Sequence, residues 1–383
     1  MSFTLALPRI ALSGSNAIQD AVEALHQQGT SSVLLLTDAI LVKLPAATLL
    51  RELLDANQIA YTVFSAIEPN PTVATVNRAF EQFQQIKPDA LIALGGGSVI
   101  DTAKAVRILS ANPGPINQYE GAHHGLKPGA FLVAIATTSG TAAEVTSNAV
   151  ITDTDRHVKM VIISHSIIPD IAVNDPAALA SMPAGTTAAT GMDALTHAIE
   201  AYVSRGAHPL TDHSALEAIR IIAKWLPRAF DNGQDLEARE MMAHGQYLAG
   251  MAFNSAGLGC VHSLAHQPGA THNLPHGVCN AILLPVVEEF NRPAAVERFA
   301  RIAEAMDVNT KGLTTEQASI SALDAIRALS ARVRIPAGFA TLGINDADIE
   351  QWIAPALADP CTPGNPRDLT ADDVRALYKK ALY

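Results

Sequence analysis

The chain has 383 residues, of which 49% are hydrophobic and 16% are charged, and its formal net charge at pH 7 is −11. This composition is typical of a folded protein with room for two domains, and it excludes an intrinsically disordered chain. The negative charge argues against nucleic acid and against an anionic membrane surface as partners.

The first half of the chain alternates short apolar runs with longer helical patterns. Helices are predicted at 44–57, 73–86 and 99–108. Near-continuous apolar strands that are separated by helices are typical of a parallel sheet covered on both faces. In such doubly wound folds, ligands bind beyond the carboxyl ends of the strands. The predicted strands are 32–37, 60–64, 90–94, 131–135 and 158–163.

A glycine-rich turn follows the strand that ends at Leu94. It consists of Gly95, Gly96, Gly97 and Ser98, and a helix begins directly after it. Glycines let the backbone approach a ligand closely, and a helix N-terminus offers free N–H groups to a phosphate. The turn lacks the GxGxxG spacing, and similar turns also occur for packing reasons alone, so both interpretations stay open.

Polar residues follow two other predicted strands, and Lys159 lies within a third. Asp38 can bind the adenosine ribose hydroxyls and repel the extra phosphate of NADP, or it can simply cap a turn. The hydroxyl-rich run 137–141 suits a pyrophosphate or ribose, although Ser, Thr and Gly are also ordinary turn residues. Lys159 either reaches a ribose or is a surface lysine.

The pattern changes near Met182 and Pro183, beyond which helical periodicity dominates. We therefore predict an α/β dinucleotide-binding domain at 1–182 and an all-helical domain at 183–383. Its predicted helices are 186–203, 210–231, 235–256, 260–268, 278–290, 293–306, 315–334, 346–357 and 370–382.

The first of these helices carries Asp193 and His197, which share one face because they are four residues apart. Alone, such a pair is more often a solvated hydrogen-bonded pair than a metal site. Here the flanking residues Met192, Leu195 and Ile199 indicate a buried helix, and buried polar groups need partners. One oxygen and one imidazole nitrogen form half of a divalent metal site.

A histidine cluster at 262–276 can supply the other half. His262 and His266 share a helix face, and His272 and His276 follow toward a loop rich in turn residues. Each histidine taken alone can be a core or capping residue, but together with the Asp193–His197 helix they predict a metal site. Cys260 is a conceivable further ligand.

Targeting signals are not evident. No apolar run reaches the roughly eighteen residues of a transmembrane helix, and the first residues lack the apolar core of a signal peptide. The three cysteines are too scattered for a disulfide framework or a paired-cysteine zinc site. We expect a cytoplasmic protein.

Taken together, these motifs resemble the iron-dependent (group III) alcohol dehydrogenases. The matching stretches are 95–98 with 101–104, the run 137–141, 188–198, 257–285 with its spaced histidines, and 365–367 near the end. The resemblance spans essentially the whole chain. Within the family the chain looks closest to bacterial lactaldehyde/1,2-propanediol, ethanol or threonine dehydrogenases.

The resemblance implies an α/β, Rossmann-like nucleotide-binding domain, an all-α C-terminal domain and a metal in the cleft between them. It further implies hydride transfer between a small primary alcohol and NAD in a homodimer. His266 then relays the proton. The implied ligands of Fe²⁺ are Asp193, His197, His262 and His276, a set that zinc also accepts. The implied NAD-binding residues are Asp38, Asn70, Gly96, Gly97, Ser98, Asp101, Thr137, Thr138, Thr141, Val150, Lys159 and Leu179.

Two positions match the family pattern less closely. Ser139 stands where many family members have alanine, and Cys361 lies where some place a residue near the nicotinamide. A mostly apolar pocket is expected, which favours short alcohols. Its expected residues are Asn148, Phe253, Leu258 and Val261.

Three other functions compete with this interpretation. A zinc-dependent polyol dehydrogenase of the glycerol type has the same architecture with one Asp and two His ligands, so His197 favours the iron group. A metal-dependent hydrolase or lyase would not produce NADH. A non-catalytic sensor is disfavoured by the intact ligand set.

Overall fold

The computed structural model describes residues 3–156 and 158–383. It divides into two units, each with its own core. One unit is Ala6–Met182, and the other is Pro183–Tyr383 with the described N-terminal residues up to Leu5.

The first unit is built on a six-stranded sheet in which every pair of neighbours is parallel. The strand order is β1-β9-β6-β4-β2-β3, and a separate small sheet has the order β5-β8-β7. The strands are β1 (Ile10–Ser13), β2 (Ser32–Leu36), β3 (Ala60–Phe64), β4 (Ala90–Gly95), β5 (Gly121–Ala122), β6 (Phe131–Ala136), β7 (Asn148–Asp153), β8 (Val158–Ile163) and β9 (Ile171–Asn174). The helices are α1 (Ala17–Gln27), α2 (Pro45–Ala56), α3 (Val73–Ile86), α4 (Gly97–Ala111) and α5 (Pro176–Leu179).

Alternating side chains of the large sheet enter two different cores. Val33 and Leu35 of β2 pack with apolar residues of α1 and α2, whereas Leu34 and Leu36 pack with residues of α3 and α4. Both faces of the sheet are therefore covered, which explains why its central strands β4 and β6 carry no polar side chain. The structure confirms the predicted doubly wound α/β architecture.

The carboxyl ends of β2, β4, β6 and β9 meet at one edge of the sheet, because these strands are neighbours and parallel. The segments that follow them begin at Thr37, Gly96, Thr137 and Asp175. This edge collects most of the residues that the sequence assigned to a nucleotide.

The predicted strand at 158–163 exists, but it belongs to the small sheet. There β8 pairs antiparallel with β7 and parallel with β5. The large sheet is instead completed by β1 and β9, two four-residue strands that sequence periodicity did not reveal.

The second unit contains helices and no strand among its described residues. These helices are α6 (Ala184–Val203), α7 (Pro209–Asp231), α8 (Leu236–Ala256), α9 (Cys260–His272), α10 (His276–Asn291), α11 (Val296–Ala305), α12 (Thr315–Arg332), α13 (Asp346–Ala358) and α14 (Ala371–Ala381). Helix α6 packs against α7, α8 and α10, and its residues from Gly191 to Val203 are all buried. None of the helices in the described part of the chain is long and apolar enough to cross a membrane.

Candidate active site

Three ligand-type side chains meet in the helical unit, where Asp193 and His262 are buried and His276 is partly exposed. Asp193 comes from α6, His262 from α9 and His276 from the first position of α10, and one donor atom of each lies within 4.8 Å of the others. Asp193 Oδ1 lies 3.6 Å from His276 Nε2 and 4.0 Å from His262 Nε2. Metal–ligand bonds of about 2.0–2.2 Å place neighbouring ligand atoms roughly 3–4 Å apart, so the spacing fits one cation.

His197 lies beside this set of three without belonging to it. Its ring centroid is 4.5 Å from that of His262, and its ring also stacks on that of Phe253, with the two centroids 4.4 Å apart. His197 is buried one helical turn after Asp193. The structure thus brings all four predicted ligands into one neighbourhood, with three in closer mutual contact.

Gly277 explains how α10 reaches α6. A Cβ at this position would lie 2.5 Å from the carbonyl oxygen of Ala189, a distance that no side chain tolerates. Only glycine lets the two backbones approach this closely. The preceding residue, His276, is thereby placed beside Asp193.

Two further polar residues complete the cluster, and sequence reasoning missed both. The Asn280 amide donates to Asp193 Oδ1 at 2.7 Å, and its nitrogen lies 3.1 Å from His262 Nε2 and 3.0 Å from His276 Nε2. Glu200 accepts a hydrogen bond from the backbone N–H of Val261 at 2.7 Å, and it is hydrogen-bonded to Nδ1 of His262. Their signal was helical spacing, because Asn280 is four residues after His276 and Glu200 three after His197.

Burial controls the charge of the central imidazole. Desolvation, followed by the neighbouring histidines, holds the pKa of His262 well below its usual range. His262 is therefore neutral at physiological pH, which is the form that a metal ligand requires.

His266 is oriented by a carboxylate. Its Nδ1 lies 2.8 Å from Asp359 Oδ2, and its ring stacks on that of His276 with centroids 5.4 Å apart. The backbone N–H of Cys361 donates to the other oxygen of Asp359 at 2.9 Å. The remaining member of the histidine cluster, His272, is exposed and faces Asp348 instead.

In the α/β unit, the glycine-rich turn packs against the hydroxyl-rich run. A Cβ at Gly96 would lie 3.1 Å from the side chain of Thr138, and a Cβ at Gly97 would lie 3.0 Å from that of Thr141. Thr137 donates its backbone N–H to the carbonyl of Gly95, across the β4–β6 pair. The structure therefore brings these two predicted segments together.

Hydrogen bonds join most of the other predicted nucleotide residues. Asn70 donates its N–H to Ser98 Oγ at 3.2 Å and accepts from Lys159 Nζ at 2.9 Å. Asp101 accepts from the N–H of Val150 at 3.0 Å. Asn70 has a φ of 57°, the left-handed conformation that asparagine tolerates better than most residues.

Fewer contacts support the last two predicted NAD-binding residues, Asp38 and Leu179. Asp38 Oδ1 accepts from the N–H groups of Ile40 and Leu41, so the capping role that we left open is present. It does lie at the common edge, directly after β2 and its neighbour Thr37. Leu179 is buried in α5, beyond the carboxyl end of β9.

Comparison with known proteins gives matches over both units. The chain matches the model for iron-containing alcohol dehydrogenases over residues 8–176 and the model for the C-terminal part of the Fe-containing alcohol dehydrogenase family over residues 187–382. It is 43% identical over 376 residues to the NAD-dependent methanol dehydrogenase of Bacillus methanolicus, covering 98% of this chain and 99% of that protein.

Two further matches cover the whole chain. The lactaldehyde reductase of Escherichia coli (strain K12) is 41% identical over 383 residues, with 100% of each protein covered. A crystal structure of 1,3-propanediol oxidoreductase superposes with a TM-score of 0.98 at 40% identity and 100% coverage of both chains. The resemblance that the motifs indicated is thereby confirmed. The chain belongs to the iron-containing alcohol dehydrogenase family.

Proposed function

We propose that this alcohol dehydrogenase transfers hydride between a small primary alcohol and NAD, and that Asp193, His197, His262 and His276 hold a divalent cation for the reaction. The observation that carries the proposal is the convergence of Asp193, His262 and His276 within 4.8 Å in the helical unit.

The donor set fits such a cation. One carboxylate oxygen and several imidazole nitrogens suit Fe²⁺ and Zn²⁺ alike, and the family favours iron. His197, whose ring lies against His262, is the proposed fourth ligand. When bound, the cation supplies Lewis-acid stabilisation of negative charge on the substrate oxygen.

His266 is the proposed proton relay. Asp359 engages Nδ1 of its imidazole, and a proton held there leaves Nε2 as the nitrogen that can accept one. Its stacking on His276 keeps the ring beside the proposed metal ligands. The role assigned to His266 is to take the hydroxyl proton of the alcohol and pass it outward.

The α/β unit is the proposed NAD site. Backbone N–H groups at the start of α4 face the edge where parallel strands end, an arrangement suited to a pyrophosphate. NAD supplies the hydride-accepting ring. The proposed NAD-binding residues are Asp38, Asn70, Gly96, Gly97, Ser98, Asp101, Thr137, Thr138, Thr141, Val150, Lys159 and Leu179.

Short alcohols are the proposed substrates. The apolar ring of Phe253 lies directly on His197 and restricts the space beside the ligand set. Three relatives are named for methanol, lactaldehyde and 1,3-propanediol, all of which are small.

The test is a substrate panel on metal-stripped enzyme that has been reloaded anaerobically with Fe²⁺ or with Zn²⁺. NADH formation is followed with methanol, ethanol, 1,2-propanediol, 1,3-propanediol and glycerol, each with NAD and with NADP. We expect the iron enzyme to oxidise short primary alcohols with NAD. Activity confined to glycerol and zinc would indicate a polyol dehydrogenase, and no NADH with any alcohol would favour a hydrolase or lyase.

We also propose a cytoplasmic homodimer. Strand β1 forms an edge of the large sheet, where Ile10 is 43% exposed. Apolar edge strands tend to pair with another chain. Light scattering should give twice the chain mass of 40.3 kDa, and a monomer would contradict the proposal.

A further inference from the structure

Glu200 lies on α6 in line with the proposed ligands of that helix. It comes three residues after His197 and seven after Asp193, a spacing that keeps it on their face. Its side chain is 1% exposed, although carboxylates are rarely buried this completely without a partner. Such a residue requires an explanation.

The partners of Glu200 all belong to the first turn of α9. The N–H of Val261 donates to Oε1 at 2.7 Å, and Nδ1 of His262 is hydrogen-bonded to Oε2. A Cβ at Gly259 would lie 2.9 Å from Oε1, so a larger residue there would press on the carboxyl group. Burial, followed by the neighbouring Glu288 carboxyl, raises the pKa of Glu200, whereas backbone N–H donors at this helix end, among them that of Val261, lower it.

The opposite edge of the His262 ring faces the proposed metal ligands. Its Nε2 lies 4.0 Å from Asp193 Oδ1 and 3.1 Å from the amide nitrogen of Asn280. An amide nitrogen donates and does not accept, and its two protons have three neighbours here, which are His262 Nε2, Asp193 Oδ1 at 2.7 Å and His276 Nε2 at 3.0 Å. A bare Nε2 and a protonated Nδ1 are compatible with the contacts at both nitrogens of the His262 ring.

We propose that Glu200 is a positioning residue that holds His262 as the Nδ1–H tautomer and aims its Nε2 at the cation. Carboxylates that accept the second N–H of a ligating histidine orient the ring and raise its basicity. The inference rests on the proposed metal site, and it adds to that site a residue that makes no contact with the cation.

A Glu200→Gln variant separates positioning from helix capping. Its amide has one acceptor oxygen, whereas Val261 N–H and His262 Nδ1–H both need an acceptor. If the amide oxygen of the variant accepts from the Val261 N–H, its NH₂ group points at Nδ1 of His262. Nδ1 must then be the acceptor, so the ring proton moves to Nε2, and a protonated Nε2 cannot bind the cation. We expect cation affinity to fall about 10- to 100-fold.

Glu288 offers a matched control. It is fully buried on α10, and its carboxyl group accepts from Asn291 at 3.2 Å. Burial raises the pKa of Glu288 to about 8, so it is protonated at neutral pH and an amide reproduces its shape. We expect Glu288→Gln to bind the cation as the wild type does.

The experiment titrates the metal-free full-length proteins with Co²⁺, using a competing chromophoric chelator for affinity and the visible Co²⁺ absorption for ligand geometry. The proposal predicts weakened binding and an altered Co²⁺ spectrum in Glu200→Gln alone. Wild-type affinity and spectrum in Glu200→Gln would overturn it while leaving the proposed metal site intact. A wild type that binds no Co²⁺ would overturn the metal site and this inference together.

A second measurement needs no folded Glu200 variant. ¹⁵N NMR of histidine side chains in the metal-free wild type shows which ring nitrogen of His262 carries the proton, with a His262→Asn sample to assign the signal. The proposal predicts protonated Nδ1 and bare Nε2. The opposite tautomer would overturn it.

Discussion

Asn280 shows how much one side chain can contribute to a cluster of ligands. It is fully buried, and its amide nitrogen contacts Asp193, His262 and His276 at 2.7–3.1 Å. A donor at this point offsets the negative charge of the Asp193 carboxylate when no cation does so. Asn280 is thus suited to stabilising the ligands before a cation binds.

Replacing Asn280 with Asp should convert this attraction into repulsion. Two buried carboxylates in contact destabilise the metal-free fold, by about 2 kcal/mol or more. A cation between them removes the penalty. We therefore expect Asn280→Asp to unfold at a lower temperature without metal and to gain more from added Zn²⁺ than the wild type. Equal melting temperatures of the two metal-free proteins would contradict this role.

Glu288 makes a pH-dependent contribution to stability. Burial raises its pKa from 4.5 to about 8 in the folded state, so between these values the fold retains a proton that the unfolded chain has lost. The unfolded state then binds fewer protons, and the free energy of unfolding falls by about 1.4 kcal/mol per pH unit from this group. Glu288→Gln removes that contribution.

The expected result is that Glu288→Gln gains stability relative to the wild type as pH rises from 5 to 8. Denaturant unfolding at three pH values in this window measures the difference. Parallel stability profiles for the two proteins would show that Glu288 does not hold its proton in the fold.

At the level of elements, sequence periodicity predicted the long segments and failed on short ones. Helix α3 occupies the predicted range 73–86, and β4 ends one residue beyond its prediction. Strands β1 and β9 have four residues each, too few to show a period. They form because each pairs with the other, far away in sequence, and β9 also pairs with β6.

The site was predictable to the extent that its residues shared a helix. Asp193 and His197 are four apart on one helix, and so are His262 and His266, so spacing alone suggested them. Glu200 and Asn280 also stand at helical spacing from His197 and His276, but that spacing alone did not single them out. Their roles depend on how α6, α9 and α10 pack, which local spacing does not determine.

Gly277 tests this dependence on packing. An added methyl at Gly277 meets the Ala189 carbonyl at 2.5 Å, so α10 must move away from α6. We expect Gly277→Ala to lose about 1–3 kcal/mol of stability and to bind the cation more weakly.

Gly185, in the first turn of α6, is the control, because a Cβ there meets nothing within 4 Å. Gly185→Ala should be neutral or stabilise by up to about 1 kcal/mol. Thermal unfolding and Co²⁺ titration of both variants check the comparison. If Gly277→Ala and Gly185→Ala have similar stability and cation affinity, the close contact of α10 with α6 at Gly277 is not needed for the cation site.

At the scale of the whole molecule, the proposed function requires the proposed cofactor site of the α/β unit to select NAD. Asp38 caps the turn after β2 through Oδ1, so removing its side chain would confuse loss of charge with loss of the cap. Asp38→Ser keeps a capping oxygen and removes the charge. We expect the NAD-to-NADP ratio of kcat/KM to fall about tenfold, which steady-state assays with both cofactors measure. An unchanged ratio would leave Asp38 with its capping role only.

The proposed function requires a cation in the helical unit, with Asp193, His262 and His276 among its proposed ligands. The most direct measurement is the number of Fe²⁺ ions bound per chain under anaerobic conditions in the wild type, Asp193→Asn, His276→Asn and His272→Asn. His272 belongs to the same histidine cluster in sequence but faces Asp348, so its variant is the matched control. We expect one ion in the wild type and in His272→Asn, and none retained after dialysis in the other two, as the proposed metal site requires. One tightly held ion in Asp193→Asn and His276→Asn would contradict it.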